Sequence, residues 1–172
     1  KQSAKEHMHE VAGYLDLYQR LTDWLTVDVG MRYDWHNVIH GEKIPHFGVV
    51  TRPLSTAEAR LTIDKGFRNP TLKEMYLYPS SNINMIPERL WNYEVSWSQR
   101  LLAGRLCYGV NAFFMNGSNI IQTINRKNVN VGRIQNVGVE AEASWRVNDH
   151  WSLTTNHSYL HMKYHVVAAP QY

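Results

Sequence analysis

The sequence lacks the features that mark several common classes of protein. A single cysteine, Cys107, excludes an internal disulfide framework and a cysteine-rich zinc module. The net charge of +3 is too small to indicate binding to nucleic acid. The longest stretch without a charged residue, 106–125, is interrupted by amides, whereas a membrane-spanning helix needs about 20 mainly apolar residues. A disulfide scaffold, a nucleic-acid-binding protein and a transmembrane helix are therefore excluded.

Amphipathic aromatic residues are abundant instead. The chain of 172 residues contains 10 Tyr and 6 Trp, although its mean hydropathy is only −0.43. Hydrophobic residues make up 44% of the chain, which is too large a share for a disordered protein. The composition therefore indicates a folded chain whose apolar residues are interleaved with polar ones.

Apolar and polar residues alternate along most of the chain. From Leu25 to Trp35 every odd position is apolar, and every even position is polar or glycine. This period of two predicts a strand with one apolar and one polar face. The alternation is equally clear at 57–64, 91–98 and 137–147, and weaker at 8–19, 46–52, 105–124 and 151–164. The sequence therefore predicts an all-β protein with about eight long antiparallel strands.

The predicted connections alternate between short and long. The short ones contain Pro, Ser, Gly, Asn and Asp, which are typical of hairpin turns. They lie at 20–23, 53–56, 101–104 and 148–150. Long loops are predicted at 37–45, 68–88 and 125–133. Tight turns at one end of a sheet and long loops at the other are typical of an up-and-down meander.

The predicted strands are long enough to cross a membrane. Soluble strands average about five or six residues, whereas membrane-crossing strands need roughly 9–11. In the four clearest strands the apolar side carries no charge, as expected where lipid covers it. Two alternatives stay open: a soluble antiparallel β protein that binds carbohydrate, and a small closed eight-strand outer-membrane barrel. Tryptophans also lie near predicted strand ends, as in aromatic girdles, at Trp24, Trp35, Trp91, Trp97, Trp145 and Trp151.

Two segments together resemble the barrel of TonB-dependent outer-membrane receptors. The first comprises 65–76, with the sequence KGFRNPTLKEMY, and 92–94, with the sequence NYE. The second comprises 111–114, NAFF, and 136–140, NVGVE. Each piece is weak by itself, but their combination and order are specific for the family.

The resemblance implies a receptor in the bacterial outer membrane that takes up a scarce ligand: a ferric siderophore, haem, cobalamin or a glycan. It implies a barrel of about 22 strands that encloses a plug. Since residues 1–172 have room for about eight strands, we expect an internal slice from the C-terminal half of the barrel, without the plug and the final strands. The implied partners are outer-membrane lipid, the plug of the same chain, the ligand, and TonB through the full-length receptor only.

The resemblance also implies that the loop at 68–88 is extracellular and that the short turns are periplasmic. Gly66 is expected to permit a bend or a close approach, Pro70 to end its strand, and Thr71–Glu74 to form one helical turn. We interpret the shared motif mainly as a packing device of the barrel rim. Its residues are Gly66, Phe67, Arg68, Pro70, Glu74, Asn92, Tyr93, Glu94, Gly138 and Glu140.

Aromatic, amide and basic residues of the predicted long loops are the candidates for ligand contact. Rings stack on sugars or siderophores, amides form hydrogen bonds, and cations attract an anionic chelate or a lipopolysaccharide phosphate. The alternative is a mobile polar loop. The candidates are Tyr76, Tyr78, Asn82, Asn84, Arg126 and Lys127, and the same loops hold Met85, Asn125, Asn128 and Asn130.

No metal site, cofactor or catalytic site is predicted. His36, His40 and His46 flank a predicted loop and could gather around haem, but solvated or hydrogen-bonded histidines are commoner. Histidines within 157–165 share a strand face, where a four-residue step of about 13 Å is too long for one ion. The sequence contains neither a G-x-S-x-G nor an H-E-x-x-H motif, so we expect no enzyme activity.

Overall fold

The computed structural model describes residues 7–77 and 79–166. The strands are β1 (Glu10–Arg20), β2 (Leu25–His36), β3 (His40–Leu54), β4 (Ala57–Arg68), β5 (Glu88–Leu101), β6 (Leu106–Ile124), β7 (Lys127–Arg146) and β8 (Ser152–Val166). They form one sheet in the order of the sequence, and all neighbours are antiparallel. The prediction of an all-β meander of about eight strands is confirmed.

The sheet is open at both edges. In the described part of the chain β1 pairs only with β2, and β8 pairs only with β7. A closed barrel of these eight strands would have to pair β1 with β8. The alternative of a small closed barrel is therefore not favoured, and the meander has the form of a slice of a larger barrel.

The two faces of the sheet differ in polarity and in exposure. On β2 the polar-side residues Thr26 and Asp34 are 5% and 2% exposed, whereas the apolar-side Val29 and Trp35 are 46% and 45% exposed. On this strand most polar-side residues are crowded together and the apolar ones stand apart, as on the concave and convex sides of a curved sheet, whereas on β7 the polar-side Glu140 and Glu142 are exposed. Other apolar-face residues at least 40% exposed include Met31, Tyr33, Tyr93, Val95, Val137, Val139 and Tyr159.

Helical structure in the described part of the chain is limited to short turns. The longest is a helical turn, Lys73–Leu77, in the loop that follows β4. A tighter turn, Leu102–Gly104, joins β5 to β6. No helix within 7–77 and 79–166 is long and apolar enough to cross a membrane.

Two of the three predicted long loops are wrong. The connections at 37–45 and 125–133 shrink to 37–39 and 125–126, because β3 and β7 begin earlier than their alternation indicates. The third, 68–88, is confirmed as loop 69–87, and the four short turns lie where they were expected. Asn125 and Arg126 have φ angles of 50° and 63°, the left-handed conformation that a two-residue hairpin turn requires.

Within the described residues, the β6–β7 hairpin extends beyond its ladders with both neighbours at the end of the sheet that carries loop 69–87. Its pairing with β5 ends at Ser118, and its described pairing with β8 ends at Gly132. We call residues 119–131 the hairpin extension. Apart from prolines, the buried apolar side chains of the described residues are Ala57, Met75, Met85 and Val131, and the last three lie in loop 69–87 or the hairpin extension. The best-packed apolar residues are thus at this end of the sheet.

Candidate functional site

Loop 69–87 begins with a helical turn that its own side chains stabilise. The Glu74 backbone N–H donates to Thr71 Oγ1 over 3.3 Å, and the Thr71 backbone N–H donates to the Glu74 carboxylate over 2.8 Å. This reciprocal pair is a capping box, which satisfies donors at the start of a helix. The Met75 N–H donates to the Thr71 carbonyl over 3.0 Å and closes the turn. The helical turn predicted at Thr71–Glu74 is confirmed, with its centre a few residues later.

One guanidinium ties this turn to both strands that flank the loop. Arg68 Nε donates to Glu88 over 2.7 Å, and the terminal nitrogens of Arg68 donate to Glu74 over 3.1–3.3 Å. We call Arg68, Glu74 and Glu88 the rim network. Burial opposes ionisation of Glu74, but hydrogen bonds from Arg68 and Thr71 outweigh it and lower the pKa of its carboxyl below the ordinary value. Both ends of loop 69–87 are therefore held by charge-assisted hydrogen bonds.

Asn128 of the hairpin extension makes four hydrogen bonds while only 5% exposed. Its backbone N–H donates to the Ser80 carbonyl over 2.7 Å, and its Nδ2 donates to the Glu74 carbonyl over 3.1 Å. Its backbone carbonyl accepts from Asn82 Nδ2 over 2.8 Å, and its Oδ1 accepts from Thr123 Oγ1 over 2.8 Å. Three of these four bonds hold loop 69–87.

Asn130 makes a second connection between the same two segments. Its Oδ1 accepts from the Ile86 N–H over 3.0 Å, and its Nδ2 donates to the Ile86 carbonyl over 2.8 Å. The side-chain amide thus pairs with one residue of loop 69–87 as a neighbouring strand would. The same Nδ2 also donates to the Asn119 carbonyl over 2.8 Å, within the hairpin extension.

The candidates for ligand contact divide into exposed and engaged residues. Tyr76, Asn84, Arg126 and Lys127 are exposed, whereas Asn82 is half-buried and uses its amide to hold the hairpin extension. Tyr78 lies outside the described residues. The structure brings Asn82, Asn84 and Lys127 together along an open groove of about 360 Å³, whose other residues are Ile86, Val129, Asn130 and Val131.

The motif residues lie on β4, β5, β7 and loop 69–87. The close approach predicted for Gly66 is wrong, because a Cβ there would have no atom within 4 Å. Gly138 has the tight contact instead, since a Cβ would lie 2.3 Å from the ring of Phe113, its partner on β6. Pro70 is buried where β4 ends, as expected. Of the others, Phe67 and Arg68 end β4, Asn92, Tyr93 and Glu94 lie on β5, Glu140 lies on β7, and Glu74 caps the loop.

Of the three histidines considered as a possible haem site, His36 and His40 are register partners across β2 and β3, whereas His46 pairs with Gly30 and lies apart from them. His36 Nδ1 accepts from the Val38 N–H over 3.1 Å and holds the turn after β2. His46 lies further along β3, between Asp28 and Asp64 on the two neighbouring strands. Within the described ranges, no group of three or more His, Cys, Asp or Glu residues has a geometry that could hold a metal ion.

A buried charge cluster between β3 and β4 was not foreseen from the sequence. Lys65 Nζ donates to Glu42 over 2.9 Å, and Arg89 Nε donates to the same carboxylate over 2.8 Å. We call these three residues the seam cluster. The Glu42 side chain is 7% exposed, and its charge is matched by two cations. Separations of 23 and 47 residues from Glu42 give no local signal of such a cluster.

Comparison with protein families gives one match, to the TonB dependent receptor-like β-barrel, over residues 2–170. Among solved structures, the siderophore receptor PirA from Pseudomonas aeruginosa is 19% identical with a TM-score of 0.82, over 90% of this chain and 32% of that one. The FrpB iron transporter from Neisseria meningitidis is 20% identical with a TM-score of 0.70, over 92% and 26%. The alcaligin outer membrane receptor FauA from Bordetella pertussis is 17% identical with a TM-score of 0.66, over 94% and 32%. No curated protein matches.

These comparisons agree with the fold described above. The chain spans between 26% and 32% of the length of the three solved structures, all of which are larger. At identities of 17–20% the likeness extends to the fold, while the match over 2–170 covers nearly the whole sequence.

Proposed function

This chain belongs to the TonB-dependent receptor β-barrel family, and we propose that it forms part of the barrel wall of a receptor that carries a scarce ligand across the bacterial outer membrane. The observation that carries the proposal is the division of one open sheet into a polar face and an exposed apolar face that carries no charge within 25–35, 57–64, 91–98 and 137–147. Such a sheet suits hydrocarbon on one side and a polar filling on the other.

Each surface of the slice has an expected partner in the whole receptor. Outer-membrane lipid covers the apolar face, and the plug of the same chain lies against the polar face. Further strands pair with β1 and β8, whose edges are otherwise unpaired within the described residues. TonB acts on the full-length receptor and not on this segment.

Ferric siderophores are the first ligands to test, ahead of haem, cobalamin and glycans. The solved structures with the same fold include a siderophore receptor, an iron transporter and an alcaligin receptor. We propose that Tyr76, Asn84, Arg126 and Lys127 contact the ligand, because they are exposed beside the mouth. A ring, an amide and two cations suit a chelate that carries negative charge.

Uptake by living cells tests the proposal. A strain without the receptor gene is complemented with the full-length receptor and starved of iron, and radioactive iron is supplied as ferric siderophores of the catecholate, hydroxamate and carboxylate classes. We expect one class to enter only when both the receptor and TonB are present. Receptor-independent entry of all these chelates, and of haem, cobalamin and glycans, would contradict the proposal. A receptor that stays monodisperse in water without detergent would contradict the membrane location itself.

A further inference from the structure

We propose that Asn128 and Asn130 are positioning residues that join loop 69–87 to the hairpin extension, so that the two segments form one rigid body at the mouth of the barrel. The inference rests on the proposed function, since it concerns the same rim that we expect to meet the ligand. It assigns these amides, which the sequence placed among residues of ligand-recognition loops, a different role.

The first support is that the hydrogen-bonding groups of Asn128 are already occupied. Its N–H, carbonyl, Nδ2 and Oδ1 all have partners within the protein, at 2.7–3.1 Å. A residue that is 5% exposed and has a protein partner for each of these groups has little left to offer a ligand. Its partners Glu74, Ser80 and Asn82 lie in the middle of loop 69–87, so one residue holds the loop at three points.

The second support is that Asn130 makes its contact beyond the end of the β5–β6 ladder, which stops at Arg89. Ile86 lies just before β5, and one side-chain amide, that of Asn130, binds both of its backbone groups. Nearby, Glu88 accepts from the Ile121 N–H over 2.8 Å, which joins the end of the loop to the hairpin extension again.

The third support is the apolar packing beneath these amides. Met75 and Met85 of loop 69–87 are 2% and 4% exposed, and Val131 of the hairpin extension is 7% exposed. Loops without buried apolar contacts open easily, whereas a loop with both packing and internal hydrogen bonds moves with the element that it contacts. The exposed candidates Tyr76 and Lys127, which belong to different segments, would therefore keep a constant separation.

Amide hydrogen exchange of the full-length receptor in detergent micelles tests the inference, with Asn128→Ala and Asn130→Ala as variants. Each change removes hydrogen bonds that hold loop 69–87, so we expect exchange within 71–86 to accelerate about tenfold or more. If the segments form one body, amides of 119–131 must accelerate as well. Asn156→Ala is the matched control, because Asn156 is exposed on β8 and has no side-chain hydrogen bond among the described contacts.

Graded variants separate positioning from general destabilisation. Asn130→Asp keeps the acceptor for the Ile86 N–H but places a carboxylate oxygen against the Ile86 and Asn119 carbonyls, so its effect should be at least as large as that of Asn130→Ala although the side chain keeps its size. If Asn128→Ala fails to insert, Thr123→Val makes the same test by removing the donor that orients the Asn128 amide. Unchanged exchange in 71–86, or acceleration spread over all strands, would overturn the inference.

This outcome is independent of the ligand. If exchange stays slow in the Asn128→Ala and Asn130→Ala variants of a receptor that takes up a ferric siderophore, the inference of a joined rim is wrong and the proposed function stands. Accelerated exchange in a receptor that transports none of the tested compounds would establish the joined rim and count against the proposed function.

Discussion

Strand β4 lies between two neighbours and pairs with them over very different lengths. With β5 it forms an uninterrupted ladder from Ala57–Gln99 to Arg68–Glu88. With β3 the ladder ends at His46–Asp64, although β3 itself continues to His40 in contact with β2. β4 is therefore paired with β5 along its whole length, whereas β3 and β4 separate beyond His46 and Asp64. We call this separation the fork. The fork lies towards the end of the sheet that carries loop 69–87.

The comparison shows how side-chain charges replace a missing backbone ladder. Above the fork, Glu42 is held by Lys65 and Arg89, and Lys65 Nζ also donates to the Lys43 carbonyl over 2.8 Å. One buried carboxylate thus serves two cations. In the rim network, at the end of the complete ladder, one half-exposed cation serves two carboxylates. Between β3 and β4, the ion pairs of the seam cluster stand in place of the missing ladder. Between β4 and β5, those of the rim network only add to a complete ladder.

The largest expected effect comes from breaking the seam cluster with Glu42→Ala. Lys65 is 12% exposed, so its charge would be left nearly buried without a partner. Removing one member of a buried pair costs about 3–5 kcal/mol, and we expect the lower end because Arg89 is 39% exposed. Urea unfolding of the full-length receptor in micelles, with amide exchange of 40–45, measures the effect.

Glu58→Ala is the matched control for this change. Glu58 pairs with Arg52 at the other end of the same seam, but both side chains are partly exposed, and the β3–β4 ladder, which has a register shift between Thr51 and Leu54, is paired on either side of them. We expect a loss of about 0.5–1 kcal/mol there. Equal losses of unfolding free energy for Glu42→Ala and Glu58→Ala would show that the seam cluster contributes no more to stability than an exposed ion pair, although the ladder is missing beside it.

A smaller effect is expected at the fork itself, from His46→Ala. The two ring nitrogens of His46 face Asp64 and Asp28, and both can donate only when the imidazole is protonated. Without it, two carboxylates would face each other across β3. Since these side chains are 37–39% exposed, we expect a loss of about 1–2 kcal/mol.

Amide exchange of residues 46–48 and 62–64 locates the effect of His46→Ala. We expect the fork to open further down the seam, so that these amides exchange faster while those of the β4–β5 ladder do not change. His150→Ala in the turn before β8 is the control. Faster exchange on both sides of β4 would mean that the fork is not a separate weak point.

The strands, their order and their two faces could be predicted because period-two alternation is a local signal. This alternation is lost where a strand no longer has one side in apolar and the other in polar surroundings. Residues 40–45 of β3 form a backbone ladder only with β2 and do not alternate clearly, so they resemble a loop in sequence. The turn at Asn125 and Arg126 was hidden for another reason, because arginine is not a usual residue of the left-handed conformation.

The site was less accessible to sequence reasoning than the fold. The capping box could have been read from Thr71-x-x-Glu74, which has the spacing of that motif. The amides of Asn128 and Asn130 carry no such signal, since their partners lie 44 to 54 residues away. An asparagine in a loop looks the same in the sequence whether it binds a ligand or a backbone group of its own chain, and only the fold distinguishes the two roles.

A third prediction breaks the rim network with Arg68→Ala. The side chain is 45% exposed, so we expect a local loss of about 1 kcal/mol, well below that of Glu42→Ala. Arg68→Lys should recover little of it, because an ammonium lacks the rigid planar fork with which the guanidinium donates to Glu74 and Glu88 from different nitrogens. Exchange of the Met75 amide reports the helical turn. Full recovery by lysine would show that charge matters there and geometry does not.

The smallest effect is the response of loop 69–87 to acid through Glu74. The pKa of Glu74 in the folded, closed loop lies below the ordinary value of 4.5, which the residue regains when the loop opens locally. As the pH falls, Glu74 therefore binds a proton in the open loop before it does so in the closed loop. The contribution of Glu74 is therefore complete above about pH 4.5 and is lost as the pH falls through the pKa in the closed loop. We expect the Met75 amide, corrected for intrinsic exchange, to lose protection in this range in wild type, and this dependence to vanish in Glu74→Gln but persist in the control Asp149→Asn. A Glu74→Gln receptor with an unchanged acid response would assign the titration to another carboxylate, such as Glu88, and would leave the seam cluster as the stronger of the two charge networks.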